Sequence, residues 1–267
     1  MDGQNRSRAL HEKSKGNGKP LLLVHGVGSN GHTWRDLVPD LAKDRRVVVI
    51  DLPGHGSTPA EADSGTFDGL VRSLEDFLAA ENLEGVDMVG SSLGGRLVLE
   101  MARRGRAGAV VALDPGGFWM GWERTYLQST LLMSVLMLRG VGGLRAPLAH
   151  NPVTRSLLLA QLSAHPWKLD GEKVRAELDS YASTSTFTEL VNDLAVAPMQ
   201  EGPAAPRSGA VAIGWGRHDR LCWPIQAERA RQAFPTAKLH WFEHSGHFPH
   251  WDEPDETLRL IQDVTRL

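Results

Sequence analysis

The chain has little cysteine and no marked excess of charge of either sign. One of its 267 residues is a cysteine, Cys222, so no internal disulfide can form. A single cysteine is typical of a reducing compartment, and we predict a cytoplasmic protein. The formal net charge of −3 gives no basic footprint of the kind that nucleic-acid binding depends on. We therefore predict no nucleic-acid partner.

Long apolar runs are also missing. No stretch approaches the roughly 18 continuous apolar residues of a membrane helix. Residues 1–6 are polar with no apolar core behind them, which is unlike a signal peptide. We predict no stable membrane association and a small molecule as the binding partner, with the oligomeric state left open.

The sequence does contain a regular alternation of short apolar strands and amphipathic helices. Apolar runs at residues 21–24 and 47–50 are typical of parallel strands covered on both faces, and the hydrophobic content of 41% is enough for such a core. Residues 9–11 offer at most one further short strand. The other predicted elements are strands at 86–89, 109–113, 210–213 and 238–242, and helices at 34–43, 67–83, 95–104, 225–234 and 256–267.

An insertion of helices interrupts this alternation. Residues 118–198 contain apparent helices and Gly/Pro breaks with no convincing strand. We predict an α/β core made of residues 1–117 and 199–267, and a helical cap made of residues 118–198. A cap inserted at this point would lie over the carboxyl ends of the strands, where open α/β sheets bind their ligands.

A G-x-S-x-G motif at residues 90–94 stands between a predicted strand and a predicted helix. That context is the signature of a nucleophile elbow, a turn so sharp that its central residue is strained and its flanking residues must be small. The elbow lifts the Ser92 hydroxyl clear of the sheet, near the positive end of the following helix. We predict that Ser92 is a nucleophile, the alternative being an ordinary glycine-rich turn.

Further motifs follow other predicted strands. They are His-Gly-Val-Gly at residues 25–28, Asp-Leu-Pro-Gly-His-Gly at 51–56, Gly-Arg-His-Asp at 216–219 and Gly-His-Phe-Pro at 246–249. With the elbow, they resemble the α/β-hydrolase superfamily, in which nucleophile, acid and base occur in that chain order. The resemblance implies an α/β-hydrolase fold, with a mostly parallel sheet and helices on both faces. It covers both ends of the chain and leaves the predicted cap without a motif.

The resemblance suggests the partners of Ser92. The general base is expected at His247, with His244 as the main alternative and His250 interpreted as a surface or loop residue. The acid that orients the imidazole is expected at Asp219, which resembles the family acid. Asp114, at the end of an earlier strand, is the alternative.

Attack by Ser92 would place negative charge on a substrate oxygen, and fixed N–H donors must be ready to receive it. The backbone amide of Leu93, the residue after the nucleophile, is expected to supply one donor and that of Val27 the other. His25 and Trp34 also match the family pattern, and we interpret both as structural.

Other chemistries fail on residue identity. A serine at the elbow, in place of aspartate, argues against haloalkane dehalogenase and epoxide hydrolase chemistry. No His/Cys cluster has zinc-ligand spacing. The glycines at positions 26, 28 and 31 lack the downstream acid of a dinucleotide site. We predict no cofactor and no bound metal.

The expected activity is cofactor-independent hydrolysis of small to medium apolar acyl or aryl esters through an acyl-enzyme. Residues 119–138 are unusually apolar, which suits an acyl chain or an aromatic ring, although packing onto the core accounts for most of them. One alternative is C–C bond hydrolysis of ring-cleavage dienoates, whose carboxylate cap arginines could hold. The candidate arginines are Arg124, Arg139, Arg145 and Arg155. A haloperoxidase-like perhydrolase and a non-catalytic ligand receptor are further alternatives.

Overall fold

A computed structural model describes residues 10–265 of the chain. The strands in that range are β1 (His11–Lys15), β2 (Pro20–Val24), β3 (Arg46–Asp51), β4 (Asp87–Ser91), β5 (Val110–Leu113), β6 (Val211–Gly216) and β7 (Lys238–Phe242). These seven form one sheet in the order β1-β3-β2-β4-β5-β6-β7. All neighbours are parallel except β1, which pairs with β3 in the antiparallel sense.

Helices connect the strands and cover both faces of the sheet. Within residues 10–265 they are α1 (Val38–Leu41), α2 (Phe67–Ala80), α3 (Leu93–Arg103), α4 (Trp122–Val141), α5 (Arg145–His150), α6 (Pro152–Leu158), α7 (Gly171–Ser183), α8 (Phe187–Val196), α9 (Ile225–Ala233), α10 (Pro249–Asp252) and α11 (Pro254–Val264). Short 3₁₀ helices lie at Gly31–Trp34, Gly142–Leu144 and Pro166–Lys168.

Alternating side chains of the central strands build two apolar layers. On β2, Leu22 and Val24 join the layer that includes α2 and α3, whereas Leu21 and Leu23 join the layer that includes α1 and α11. All four side chains are fully buried. A strand covered on both faces has to be apolar at every position, which is why unbroken runs mark these strands in the sequence.

The predicted alternation of strands and helices is confirmed, with small shifts at the ends. The strand expected near residues 9–11 forms as β1 from His11, and residue 9 lies outside the described residues. The helix expected over 34–43 is wrong in its extent. It is reduced to a 3₁₀ turn and the single turn of α1, because Pro39 occupies the start of α1 and proline is tolerated only in the first turn of a helix.

Five helices, α4 to α8, lie between β5 and β6, and the described chain has no strand in that interval. Helix α4 packs against α7 and α8. The division into a core and a cap with ends at residues 118 and 198 stays a prediction.

The helical stretch Trp122–His150 is, by length and composition alone, the one stretch in residues 10–265 that could cross a membrane. Its most apolar 18-residue window has a mean hydropathy of 1.3 and is 17% buried. The expectation that no stretch approaches about 18 continuous apolar residues concerns unbroken runs; charged, serine and glycine residues interrupt this stretch, and only its mean hydropathy is high. A single such helix is weak evidence for a span. One face of it, with Leu127, Leu131 and Val135, belongs to the core.

A buried ion pair ties the amino ends of the strands to the end of the chain. Arg45 donates to Asp87 Oδ2 at 2.7 Å and to the carbonyl oxygens of Lys19 and Thr265. The side chains of Arg45 and Asp87 are 5% and 2% exposed. The other carboxylate oxygen of Asp87 accepts the N–H of Ala109 at 2.9 Å. Removing Arg45 would leave the buried Asp87 with only the half-exposed ammonium of Lys19, at 2.8 Å, as a cation, and removing Asp87 would leave the buried Arg45 guanidinium without a carboxylate.

We expect Arg45→Ala to lower the free energy of unfolding by about 3–5 kcal/mol. Arg72→Ala, which removes an exposed partner of Asp63, should lower it far less because water solvates that pair. Urea titrations followed by tryptophan fluorescence measure both changes. Equal losses would show that the Arg45 pair contributes no more than a surface pair.

Candidate active site

Ser92 occupies a strained turn between β4 and α3. Its φ of 57° and ψ of −116° lie in a region that residues with a side chain rarely adopt. The turn is closed so tightly that a Cβ at position 90 would lie 2.1 Å from the carbonyl oxygen of Gly94. A Cβ at position 94 would lie 2.2 Å from the carbonyl oxygen of Val24. Both positions therefore require glycine, and the local geometry is that of an elbow with Ser92 at its tip.

Two backbone amides lie close to this serine without an obvious acceptor of their own. Leu93 is the first residue of α3, so its amide has no acceptor within the helix. Val27 is the second residue of a turn closed by a hydrogen bond of 3.2 Å from the Ser29 amide to the Gly26 carbonyl, and such a turn does not use that amide. A Cβ at position 26 would lie 3.1 Å from the Cβ of Ser92. The structure thus brings the amides of Val27 and Leu93 into the neighbourhood of Ser92.

His25 fixes the turn that carries Val27. Its Nε2 accepts the amide hydrogen of Leu52 at 3.0 Å, so Nδ1 carries the proton and donates to the Gly26 carbonyl oxygen at 2.7 Å. Burial lowers the pKa of His25, which keeps the ring neutral in this role. The ring of His55 stands 5.2 Å from it, centroid to centroid.

His247 and Asp219 form a buried hydrogen-bonded pair. His247 Nδ1 lies 2.8 Å from Asp219 Oδ2, and both side chains are fully buried. The other oxygen of Asp219 accepts the amides of Leu221 and Cys222 at 2.8 and 2.9 Å. With its proton on Nδ1, the imidazole has a basic Nε2, and this atom has no hydrogen-bond partner in residues 10–265.

Asp114 is a second buried carboxyl close to this pair. It follows β5, has a φ of 42°, and accepts the amide of Gly216 at 2.9 Å through Oδ1. Burial and the neighbouring carboxylate of Asp219 raise the pKa of Asp114 well above its ordinary range. Asp219 accepts two backbone N–H bonds and the ring N–H of His247, whereas the structure gives Asp114 one backbone N–H. Of the two carboxyls, Asp114 is therefore the one that the buried surroundings hold neutral.

The two neighbouring histidines are placed differently. His244 is exposed, and its amide bonds Glu253 at 2.9 Å. His250 was expected at the surface or in a loop, and this is wrong. It is buried in α10, with Nε2 hydrogen-bonded to Thr33 Oγ1 at 2.9 Å and its ring 4.6 Å from that of Trp34. Proline at the start of α10 continues the chain as a helix, which turns this histidine inward.

Residues from the predicted cap cover both loops of the site. A Cβ at position 28 would lie 2.6 Å from the ring of Phe187 and 3.0 Å from that of Tyr181. On the other side, the amide of Phe248 donates to the carbonyl oxygen of Leu162 at 3.0 Å. Tyr181 and Leu162 both belong to the wall of one cavity. Its wall is mainly leucine, from Leu131, Leu138, Leu158, Leu159, Leu162 and Leu178.

The four arginines of the predicted cap bond other groups within residues 118–198. Arg124, Arg139 and Arg155 donate to backbone carbonyl oxygens. Arg145 bonds the carboxylate of Asp179 at 2.7 Å. These bonds occupy part of the five N–H donors of each guanidinium.

Asp219, Cys222 and His247 are also close enough to hold a metal ion, since their donor atoms lie within 4.8 Å of one another. The chemistry of the set fits a metal poorly. Burial and nearby carboxylates raise the pKa of the Cys222 thiol, and a thiol binds metal only as the thiolate. The two carboxylate oxygens of Asp219 already accept N–H groups. That no metal is bound stays a prediction.

Sequence reasoning missed the carboxylates that hold the His247 loop and one that faces the cavity. Asp252 accepts the amides of Gly246 and Ala164, both at 2.8 Å. Glu177 lies on the buried face of α7 and lines the cavity. A helical wheel would have found Glu177, because it falls on the face marked by the buried Val174, Leu178 and Tyr181 of that helix.

Known proteins resemble this chain over nearly its whole length. One relative is the "2-hydroxy-6-oxononadienedioate/2-hydroxy-6-oxononatrienedioate hydrolase 1" of Dechloromonas aromatica. It is 28% identical, and the alignment covers 95% of this chain and 89% of the relative. The corresponding hydrolase of Paraburkholderia xenovorans is 27% identical over the same shares.

Solved structures show the same fold. A thermophilic esterase from Thermogutta terrifontis superposes with a TM-score of 0.75 at 18% identity, covering 95% of this chain and 92% of the esterase. At such identity the likeness extends to the fold alone. The model of the alpha/beta hydrolase family matches residues 21–260. The predicted fold class is confirmed, as is the prediction of a hydrolase: the chain belongs to the alpha/beta hydrolase family.

Proposed function

We propose that the chain is a cofactor-independent serine hydrolase in which Ser92, His247 and Asp219 act as nucleophile, base and acid. The observation that carries the proposal is the buried His247–Asp219 pair. The two side chains are bonded at 2.8 Å, and Nε2 of His247 has no hydrogen-bond partner in residues 10–265. The three residues follow β4, β7 and β6, and the carboxyl ends of parallel strands meet at one edge of a sheet. The basic nitrogen therefore belongs to the same edge as the strained hydroxyl, which is what a nucleophilic serine needs.

In this mechanism Nε2 of His247 takes the proton of Ser92 as Oγ attacks the carbonyl carbon of the substrate. Asp219 holds the proton of the neutral ring on Nδ1 and stabilises the imidazolium that forms. Nε2 of His247 has no hydrogen-bond partner in residues 10–265, and a bond between a nucleophile and its base often forms or tightens only when substrate binds.

The negative charge that develops on the substrate oxygen would be received by the amides of Val27 and Leu93. The imidazolium then gives its proton to the leaving alcohol, and an acyl-enzyme remains on Ser92. Water, deprotonated by His247, attacks the acyl group and releases the acid.

We propose esters of small to medium apolar acyl or aryl acids as the substrates. The wall of the cavity near the His247 loop and the loop before Asn30 is mainly leucine, which is apolar like an acyl or aryl group; the cavity is small, about 30 Å³, so such a group would have to widen it. The engagement of Arg124, Arg139, Arg145 and Arg155 within the cap favours a substrate without a carboxylate. A cytoplasmic location remains a prediction of the sequence.

A second candidate is hydrolysis of a C–C bond in a ring-cleavage dienoate. The observation that favours it is the similarity, over 95% of the chain, to hydrolases named for dienedioate substrates. The proposed nucleophile and base could serve either reaction, so only the substrate separates the two.

Ser92→Ala should abolish turnover and leave the fold intact, because the hydroxyl caps no amide of α3. A fluorophosphonate should label the parent protein at Ser92, as read by peptide mass spectrometry. Ser91→Ala is the matched control: this neighbouring hydroxyl is buried and has no hydrogen-bond partner in the described chain, so its loss should spare labelling. An active Ser92→Ala variant, or labelling elsewhere, would refute the proposal.

The same preparation should hydrolyse aryl esters of graded acyl length faster than a ring-cleavage dienoate, judged by kcat/KM. Faster turnover of the dienoate would move the assignment to the second candidate and leave the nucleophile unchanged.

His247→Ala should lower kcat by at least about a thousandfold, since the members of a triad act as a unit. His244→Ala should lower it far less, because that side chain is exposed and lies outside the pair with Asp219. Steady-state kinetics on one soluble ester measure both. A reversed order of the two effects would show that the base is misassigned.

Asp219→Asn should lower kcat by about ten-thousandfold, because the amide favours the wrong tautomer of the imidazole. Asp114→Asn should leave it near the parent value, since burial and the Asp219 charge already hold the Asp114 carboxyl neutral. A large loss in Asp114→Asn alone would transfer the acid to the earlier strand.

Melting temperatures of the parent and of Asp114→Asn, measured across pH, test separately whether the Asp114 carboxyl is neutral in the folded protein. The raised pKa of folded Asp114 means that folding takes up a proton above the ordinary carboxyl pKa of about 4, so this contribution to stability is lost as the pH rises. Asparagine cannot ionise, and the variant should be no less stable than the parent at neutral pH.

A further inference from the structure

Helix α7 buries a carboxyl group that the proposed mechanism does not use. The side chain of Glu177 is nine-tenths or more buried, with a relative exposure of 5% for the residue. Its Oε1 has no hydrogen-bond partner among residues 10–265. Burial raises the pKa of Glu177 to about 7, against the opposing effects of the Ser29 hydroxyl and the Lys173 ammonium. A buried polar atom left without a partner is costly, and it calls for an explanation.

The position of Glu177 connects the predicted cap to the proposed catalytic machinery. Its carboxyl lies close enough to the Ser29 hydroxyl for that hydroxyl to lower its pKa, and Ser29 is the residue that closes the turn carrying Val27. One helical turn further along α7, the ring of Tyr181 stands against Gly28 of the same loop. Glu177 and Tyr181 both line the leucine-walled cavity. The carboxyl therefore lies beside the loop that carries Val27, on the side of the predicted cap.

No positive group in the cavity wall balances this carboxyl. Of the described residues that line the cavity, Glu177 is the only one with a carboxyl, ammonium, guanidinium or imidazole group, and Ser134 and Gln161 add neutral polar groups. Lys173, one turn before Glu177 on α7, is outside the wall and already bonds Asp36 at 2.5 Å. At a pH above about 7, where Glu177 is ionised, a second negative charge in the cavity would thus meet repulsion without compensation.

We propose that Glu177 is a specificity-determining residue of the substrate site. Its carboxyl accepts a hydrogen bond from a hydroxyl or N–H group on the acyl portion of the substrate and excludes an acyl portion that ends in a carboxylate. This inference rests on the proposed serine-hydrolase function and narrows its substrates to neutral, donor-bearing esters.

The physical reason is the apolar wall. A donor from the substrate gives Oε1 the partner it lacks, and a hydrogen bond made to a charged group away from water is stronger than one made in water. A substrate carboxylate gives up its own hydration and also faces a like charge in a weakly screening environment. The site therefore discriminates by attraction and by repulsion together.

Three matched series of aryl esters test the proposal. Within each series the acyl chain is short, medium or long, and its far end is a methyl, a hydroxyl or a carboxylate group. The parent protein should give the highest kcat/KM with a hydroxyl-ended chain and the lowest with a carboxylate-ended chain of the same length. The length at which the hydroxyl helps most identifies the chain that reaches Glu177.

Two substitutions separate the charge from the hydrogen bond. Glu177→Gln keeps an acceptor oxygen and removes the charge, so it should raise kcat/KM for the carboxylate-ended ester, relative to the methyl-ended one, by about tenfold or more. It should keep the preference for the hydroxyl. Glu177→Leu should remove that preference, because it leaves no acceptor.

Glu172→Gln is the control for both substitutions. It makes the same change on the same helix, at an exposed residue that pairs with Arg175 outside the cavity, and it should leave all ratios unchanged. Circular dichroism and melting temperatures establish that each variant is folded. If Glu177→Leu does not fold, the Glu177→Gln ratios and the preferences of the parent protein still decide the matter.

Binding measurements separate this proposal from that of the function. Calorimetric titration of the same esters into Ser92→Ala, with and without Glu177→Gln, reads the discrimination without turnover. Selective binding by a parent protein that neither hydrolyses esters nor reacts with a fluorophosphonate would refute the function and support the role of Glu177. Equal affinity for hydroxyl-, methyl- and carboxylate-ended esters, unchanged by Glu177→Gln, would overturn the role of Glu177 whatever the turnover.

Discussion

The start of helix α3 approaches the end of β2 so closely that a Cβ at position 94 would lie 2.2 Å from the carbonyl oxygen of Val24. This contact is possible only because the chain turns sharply at Ser92, whose amide donates to Leu113 at 2.9 Å and whose carbonyl accepts the amide of Gly116 at 3.1 Å. Strain in the turn is thus held by bonds to the end of the neighbouring strand β5 and to the loop that follows it. The arrangement of the site follows from this approach, since the loop that begins at His25 is brought against the serine.

Buried carboxylates are stabilised in different ways at the amino ends and at the carboxyl ends of the strands. At the amino ends of the strands, the carboxylate of Asp87 is neutralised by Arg45 and forms part of the scaffold. At the carboxyl ends, Asp219 receives only N–H groups, from two amides and one imidazole. A carboxylate that is bonded only by neutral N–H groups is suited to stabilise an imidazolium, because no other cation already neutralises its charge.

On the side of the predicted cap, the residues near the site are mostly apolar. The cavity wall is mainly leucine, and Glu177, the one described residue in it with a carboxyl group, has an oxygen without a hydrogen-bond partner. The arginines of the predicted cap bond groups within residues 118–198. Sequence similarity to dienedioate hydrolases and this apolar wall, with Glu177 as its one carboxyl group, favour different substrates for the proposed catalytic groups. Because the same fold serves many reactions, the wall of the pocket carries more information on the substrate than the fold does.

The sequence by itself determined the strand–helix alternation, the elbow and the order of its partners, because each of these is local. Apolar runs predict strands covered on both faces, and a serine between two required glycines predicts the turn. Only the tertiary structure decided which carboxyl bonds His247, since Asp114 and Asp219 follow adjacent strands and chain position does not separate them. Only the tertiary structure likewise shows that His250 is buried. It also shows that an oxygen of Glu177 has no hydrogen-bond partner, because the loops and helices packed around it place no donor there.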